Sequence, residues 1–214
     1  MNKLIAEFLG TAFLLLSVVG SGIMGWNLAD GNSAIALLAN AVATGCALYV
    51  LITVFGPISG AHFNPVVTVA FWLRGAIETR EAFKFIAVQI AGGICGVLLT
   101  HVLFDVDVFQ TSSTTRFGIN LWVSEVVATF GLLLVIFGGI KYASASVPAM
   151  VGVYITGAYW FTSSTSFANP AVTIARIFSD SFAGIHPGSV MPFILCQILG
   201  LCVGHFILTR LYPD

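Results

Sequence analysis

The stretch that decides the fold is Asn-Pro-Val-Val-Thr at positions 64–68, which returns as Asn-Pro-Ala-Val-Thr at positions 169–173. Asparagine is a favoured helix N-cap and proline suits the first helical position, so each copy predicts the start of a helix. From Asn64 to Arg74, and from Asn169 to Ser179, there is room for about ten residues, roughly 15 Å of helix or half of a ~30 Å hydrocarbon core. We therefore expect two half-helices that together make one span.

The composition is that of a membrane protein. Of 214 residues 58% are hydrophobic and 8% are charged, and the mean hydropathy is +1.00, whereas soluble domains carry about 25% charged residues. A net charge of −1 excludes a basic surface for nucleic acid. The sequence predicts an all-α membrane protein with six transmembrane helices and two re-entrant half-helices. The six apolar stretches are residues 4–26, 33–55, 82–104, 119–140, 146–164 and 190–211.

The two halves of the chain match beyond the Asn-Pro signature. Glu7 has a counterpart in Glu125, and a Gln-Ile-x-Gly-x-x-x-Gly motif begins at both Gln89 and Gln197. Each half supplies three spans, an odd number, so the second half must cross the membrane in the opposite sense. The paired glycines predict close helix packing. We expect one membrane domain made of inverted repeats over residues 1–110 and 117–214.

The basic residues predict an orientation. Cytoplasmic loops carry an excess of lysine and arginine, and six of the eight basic residues share one side if the N-terminus is cytoplasmic. Both termini are therefore expected inside, in a plasma membrane of bacterial type. The inner set is Lys3, Arg74, Arg80, Lys84, Lys141 and Arg210, and the outer set is Arg116 and Arg176.

These motifs together resemble the aquaporin and glycerol-facilitator family, also called the major intrinsic proteins. Ser-Gly-Ala-His-Phe-Asn-Pro at positions 59–65 is similar to the first-half signature of that family, and the resemblance covers essentially the whole chain. It implies six tilted helices and two half-helices around a passive pore for water and small neutral solutes. It also implies a homotetramer in the lipid bilayer, with no cofactor.

The half-helix tips are the expected pore centre. Two opposed helix N-termini present free N–H groups and partial positive charge, which repels cations. Asn64 and Asn169 can cap these helices and still offer an amide N–H to a passing oxygen. The alternative is that both asparagines only cap buried helices. The remaining residues that we assign to the pore centre are Pro65, Val66, Pro170 and Ala171.

Three ionisable groups lie close to the expected pore. The resemblance implies that Glu7 and Glu125 hold the re-entrant loops through hydrogen bonds, with Gln89 and Gln197 as further structural residues; a proton relay is the alternative. His62 resembles a family histidine on the cytoplasmic side of the pore. Its alternative is a histidine that merely bonds to backbone.

The expected constriction departs from the family. Most members place an arginine directly after the second Asn-Pro-Ala, where this chain has Val172, and family spacing puts the other filter positions at Thr44, Gly157 and Ser166. Such a filter is wide, neutral and mildly polar. Arg176 follows Val172 by four residues, one turn further outward, and we interpret it as a displaced vestibule charge. Snorkelling to headgroups or pairing with Asp180 are its alternatives.

These residues predict a channel for small neutral polyhydroxylated solutes, with arsenite and antimonite hydroxides as leading candidates beside glycerol and water. An ordinary water or glycerol facilitator is the first alternative. A proton-coupled secondary transporter is the second, although few titratable groups lie near the expected midplane. The sequence offers no catalytic set and no metal-ligand spacing, and the four cysteines are interpreted as small hydrophobic residues.

Overall fold

The computed structural model describes residues 1–213, and all regular structure within them is helical. Five helices have the length and hydropathy of a membrane span. The elements in chain order are α1 (Asn2–Leu28), α2 (Ser33–Ser59), α3 (Pro65–Leu73), α4 (Thr79–Leu103), α5 (Ile119–Tyr142), α6 (Val147–Phe161), α7 (Pro170–Ala175) and α8 (Pro187–Leu211), with one-turn 3₁₀ helices at Ser144–Ser146 and Arg176–Phe178.

The sixth expected span, residues 146–164, is shorter than predicted. Its helix α6 has 15 residues and ends at Phe161, because Thr162 takes an extended conformation and the chain turns back into the bundle. Residues 162–166 read Thr-Ser-Ser-Thr-Ser, and this polar run was the available signal for the turn. The expected second repeat also includes Asp214, which lies outside the described residues.

Both predicted half-helices are present. The Asn64 side chain accepts a hydrogen bond from the Val66 N–H and caps α3, and Pro65 is the first helical residue. The Asn169 side chain caps α7 in the same way, and the 3₁₀ turn Arg176–Phe178 extends that half-helix. The expected capping role of the Asn-Pro signature is confirmed at both sites.

Glycines allow the long helices to touch. A Cβ atom on Gly92 would lie 2.3 Å from the Phe8 carbonyl oxygen, and one on Gly96 would lie 2.2 Å from that of Ala12, so α4 packs directly on the α1 backbone. On α8, a Cβ on Gly200 would lie 2.7 Å from the Val126 carbonyl oxygen of α5. The close packing predicted from the recurrent glycine pairs is therefore confirmed.

Both termini lie on one face of the bundle, called here the terminal face. The Lys3 ammonium pairs with Glu81 at 3.0 Å near the start of α4. The Arg74 guanidinium donates to the Tyr212 carbonyl at 3.2 Å, which joins the end of α3 to the end of α8. The distal face carries the loops of residues 104–118 and 179–186, which are joined at 2.7 Å where the His186 N–H donates to the Thr114 carbonyl.

The outer surface of the bundle is apolar. Val153, Met191 and Phe206 are each more than 60% exposed, as expected for side chains that face lipid. The chain is therefore an integral membrane protein that crosses the bilayer several times.

Candidate functional site

Two loops with the same unusual backbone lead into the half-helices. Ala61 and Phe63 have φ values of 51° and 48°, and Ser166 and Ala168 have values of 51° and 48°. In each loop, the first of these residues lies three positions before the asparagine and the second lies one position before it. A positive φ costs a non-glycine residue of order 1 kcal/mol or more, so the surrounding structure must hold both loops in place.

The Glu7 carboxylate, which is fully buried, holds the first loop. It accepts hydrogen bonds from the His62 N–H at 3.0 Å, the Phe63 N–H at 2.7 Å, the Ser59 hydroxyl at 2.6 Å and the Gln89 amide at 2.8 Å. Two of these donors are backbone N–H groups that no helix satisfies. The negative charge is thus bound by four donors within the protein.

Glu125 holds the second loop in the same manner. It accepts from the Phe167 and Ala168 N–H groups, both at 2.9 Å, and from the Gln197 amide at 2.7 Å. The two backbone donors lie two positions and one position before Asn169, as His62 and Phe63 do before Asn64. These contacts are those of an anchor, as the family resemblance implies for both glutamates.

The two glutamines connect each glutamate to the body of its half-helix. Gln89 donates to the Thr68 hydroxyl and Gln197 to the Thr173 hydroxyl, each at 2.9 Å. Our sequence interpretation missed both threonines. The available signal was their recurrence as the fifth residue of both Asn-Pro signatures.

The two asparagines bind each other's loops. The Asn64 amide donates to the Ala168 carbonyl at 2.8 Å, and the Asn169 amide donates to the Phe63 carbonyl at 2.8 Å. Each amide nitrogen carries two hydrogens, so each keeps one N–H for another acceptor. Both asparagines also line the central cavity, so they are more than helix caps.

The other residues assigned to the pore centre lie behind this lining. All four are buried without being part of the cavity wall. Val66 is 2% exposed and packs in the apolar core, so its bulk does not narrow the cavity. The residues concerned are Pro65, Val66, Pro170 and Ala171.

A cavity of about 400 Å³ runs past the asparagines. Its end toward the terminal face is lined by His62 and Pro148, and its end toward the distal face is lined by Arg176. Its walls are mainly aliphatic and aromatic, with polar groups at a few points. A solute can pass along such a lining without strong binding, and it can form hydrogen bonds only at the few polar groups.

Three of the four positions that the sequence predicts for the filter line this cavity, and Gly157 does not. Thr44, Ser166 and Val172 are cavity residues, whereas Gly157 is exposed on the outer side of α6. Tyr159 takes its place, with its hydroxyl 3.2 Å from the Thr44 hydroxyl. Two residues make about 200° of helical turn, so positions 157 and 159 face opposite sides. The assignment of Gly157 to the filter, made by counting alone, is corrected here.

The Ser166 hydroxyl is a buried polar group beside the cavity. Ser166 is 4% exposed, and its oxygen is buried without a hydrogen-bond partner among the described residues. A buried hydroxyl without a partner is costly, so a rotation of the side chain toward the cavity would be favoured by a hydrogen bond to a solute or water oxygen. Ser166 contributes to the cavity wall, but its oxygen is covered in this structure.

His62 is fixed by side chains rather than by backbone. Its Nδ1 atom lies 3.1 Å from the Thr68 hydroxyl, and its ring stacks on Phe71 with centroids 4.6 Å apart. It lines the cavity between the pore centre and the terminal face. The alternative that it bonds only to backbone does not match these contacts.

Arg176 is buried at the distal end of the cavity. It is 2% exposed, its Nε donates to the Ala183 carbonyl, and its guanidinium carbon lies 3.5 Å from the centre of the Phe167 ring. Asp180 does not pair with it and instead accepts two hydrogen bonds from Ser113, each at 2.8 Å. Both alternatives for Arg176, snorkelling and pairing with Asp180, are therefore wrong.

Known proteins match this chain in sequence and in fold. The sequence profile of the family described as Major intrinsic protein matches residues 1–159. Aquaglyceroporin AqpS of Rhizobium meliloti (strain 1021) is 48% identical over 199 residues, covering 93% of this chain and 85% of the relative. Aquaporin NIP1-1 of Arabidopsis thaliana is 33% identical over 147 residues, covering 64% of this chain and 49% of the relative.

A solved structure supports the same fold. The aquaglyceroporin from Plasmodium falciparum superposes with a TM-score of 0.74 at 19% identity, covering 99% of this chain and 94% of that one. Members of the matching family are channels rather than enzymes. The cavity past two opposed half-helices is thus the conduit of an aquaporin-like channel for small solutes, and the chain belongs to the major intrinsic protein family.

Proposed function

We propose that this channel conducts small neutral hydroxylated solutes, with arsenite and antimonite hydroxides as preferred substrates and glycerol and water as further ones. The observation that carries the proposal is Val172, a neutral side chain on the cavity wall at the position of the usual family arginine. Thr44 and Tyr159 add two hydroxyls to the same wall, and Ser166 lies beside them with its oxygen covered. A filter of this kind exchanges hydrogen bonds with a polyol without a fixed charge at its narrowest residues.

The positive charge in this pore is displaced by one helical turn. Arg176 reaches the cavity from four residues beyond Val172, so the lining is not free of arginine as a whole. We assign it the role of vestibule charge, which opposes cations before they reach the filter. Asn64 and Asn169 act as donors at the pore centre, and His62 lines the way to the terminal face.

The assembly and orientation are part of the proposal. We infer a homotetramer in a bacterial inner membrane, with both termini in the cytoplasm and the repeat boundaries at residues 1–110 and 117–214. The terminal face carries Lys3 and Arg74, in agreement with the positive-inside rule. The distal face would then be periplasmic.

A solute panel in liposomes tests the proposed substrates. The purified channel should carry arsenite, antimonite and glycerol down their gradients, and Val172→Arg should lower these three fluxes by about tenfold, because it adds bulk and charge at the filter. Val172→Ala, which keeps the filter neutral, should retain them. Stopped-flow light scattering and arsenic uptake are the measurements.

Each alternative has its own result in that panel. Water flux without arsenite or glycerol flux would reject the proposed filter and assign an ordinary water channel. Transport that saturates and collapses with the proton gradient would assign a secondary transporter instead. Equal arsenite flux in Val172→Arg and wild type would show that position 172 does not select solutes.

A further inference from the structure

Two arginines lie against one aromatic ring at the distal end of the cavity. The guanidinium carbon of Arg176 lies 3.5 Å from the centroid of Phe167, and that of Arg116 lies 5.1 Å from it. Both side chains also line a second pocket, of about 390 Å³, on the distal side of the filter. Trp160 and Thr165 form part of the same wall.

Neither arginine forms a close ion pair within residues 1–213, where the one such pair is Lys3–Glu81 on the terminal face. The buried Glu125 carboxylate attracts both guanidinium groups at longer range. Asp180 lines a neighbouring depression with Arg116 but forms no ion pair with it. Hydrogen bonds from the backbone N–H and then the hydroxyl of Ser113 lower the pKa of Asp180. A buried arginine and a half-buried one thus share one ring without a direct ion pair, and the nearest negative charge acts on them only at longer range.

The loop of residues 182–184 holds both guanidinium groups in place. Arg116 donates from Nε to the Gly184 carbonyl at 2.9 Å and from Nη2 to the Phe182 carbonyl at 3.3 Å. Arg176 donates from Nε to the Ala183 carbonyl between them. Among the described residues, the Nη1 atom of Arg116 and both Nη atoms of Arg176 have no hydrogen-bond acceptor.

We propose that the distal pocket is a binding site for a small oxyanion, of the phosphate or carboxylate class, held between Arg116 and Arg176. Guanidinium groups present paired N–H donors that match the oxygens of such anions. The anion supplies the directly bound negative partner that the described residues do not. Nothing in this site depends on which neutral solute the channel carries.

The bound anion stays at the mouth of the pore. Arg176 is the one lysine or arginine of the described chain that lines the central cavity, whose walls are otherwise mainly apolar. An anion that moved inward would lose both guanidinium partners and its hydration. Its occupancy therefore obstructs the entrance and lowers the flux of neutral solutes.

Trp160 provides a native reporter for binding, because it lines the pocket. Delipidated protein in a maltoside detergent is titrated with inorganic phosphate at constant ionic strength, and tryptophan fluorescence is recorded. We expect a saturable change that Trp160→Phe abolishes. Arg176→Gln and Arg116→Gln should each weaken it by about tenfold or more, while Arg80→Gln, on the exposed terminal face, should leave it unchanged.

A second arm identifies the source of the oxyanion. The same titration is repeated in vesicles rich in phosphatidylglycerol, whose headgroup carries the same phosphate chemistry. Saturation in both settings assigns the site to a free anion, and saturation in detergent alone assigns it to a lipid headgroup. The Arg116→Lys and Arg176→Lys variants keep the charge but lose the paired donors, so they should bind with intermediate affinity.

A third arm measures flux. Phosphate added on the distal side should reduce glycerol flux through the wild type with the same midpoint as the fluorescence change. The proposal is overturned if the wild type shows no saturable fluorescence change, or if the double variant Arg116→Gln, Arg176→Gln binds phosphate as the wild type does. Failure of arsenite transport would leave these readouts intact.

Discussion

At the scale of single residues, Tyr159 changes the chemistry of the proposed filter. Its ring is 3% exposed and its hydroxyl meets the Thr44 hydroxyl at 3.2 Å, so one wall of the filter is both bulky and polar. Counting from the signature placed Gly157 there and predicted a wider opening. Residue spacing fixes how many residues separate two positions but not the rotation of the helix, which the packing of α6 against α2 decides.

Arg176→Gln tests the vestibule charge. Removing the guanidinium leaves the central cavity with the half-helix N-termini, each worth about half a positive charge, since Arg116 lies in the distal pocket and does not line the cavity. We therefore expect a faster collapse of a pH gradient, by about tenfold, in proteoliposomes that contain a pH-sensitive dye. Arg80→Gln, which alters an exposed arginine on the terminal face, should leak no more than the wild type. Equal leak rates in the wild type and Arg176→Gln would reject this role.

At the scale of elements, the re-entrant loops show why the two glutamates are needed. Ala61, Phe63, Ser166 and Ala168 all adopt positive φ, and no helix or sheet satisfies the N–H groups that face the carboxylates. A carboxylate accepts from several donors at once without offering a hydrogen of its own. Glutamate therefore suits this position better than any neutral side chain.

Glu125→Gln should destabilise the second loop. The introduced amide NH₂ meets backbone N–H groups that need an acceptor, and charge-assisted hydrogen bonds are lost, for a cost of about 2–4 kcal/mol. We expect a lower thermal unfolding midpoint in detergent and loss of solute flux. Glu78→Gln, at an exposed position without a side-chain cap bond, is the matched control. An unchanged midpoint in Glu125→Gln would contradict the anchoring role.

The crossing of α1 and α4 depends on a missing side chain at Gly96. Its Cβ would lie 2.2 Å from the Ala12 carbonyl oxygen, so Gly96→Ala must push the two helices apart, at about 1–3 kcal/mol. We expect a lower unfolding midpoint by fluorescence-detected melting. Gly157→Ala meets only the Phe161 ring at 3.8 Å and should melt no lower than the wild type. Alanine is the better helix former, so helix propensity alone would raise both midpoints, and an unchanged or higher midpoint in Gly96→Ala would reject the close contact.

Much of the whole molecule follows from the sequence for physical reasons. Apolar length predicts a span because the bilayer sets it, and Asn-Pro predicts a helix start because backbone donors need a cap. The burial of Arg176 was not predictable in this way, because it depends on the course of the loop at residues 176–186, where tertiary hydrogen bonds override local pattern. The end of α6 did have a local signal, the polar run at residues 162–166, which our predicted span overran.

The halves of the molecule are alike at the centre and unlike at the mouths. Glu7 and Glu125 make corresponding contacts, as do Asn64 and Asn169. Each half places an arginine at the end of its half-helix over an aromatic ring, Arg74 over Phe137 and Arg176 over Phe167. Of the two, only Arg176 lines the central cavity, so a symmetric pair of amide donors is combined with an asymmetric charge distribution.

The reciprocal bonds of Asn64 and Asn169 have a consequence for biogenesis. Each amide needs a carbonyl from the other half, so the first half cannot satisfy its own loop while the second is still being synthesised. Until then, the amide of Asn64 and the carbonyl of Phe63 must find water or translocation machinery as temporary partners. Membrane insertion of this protein should therefore end with a docking step that follows translation of Asn169.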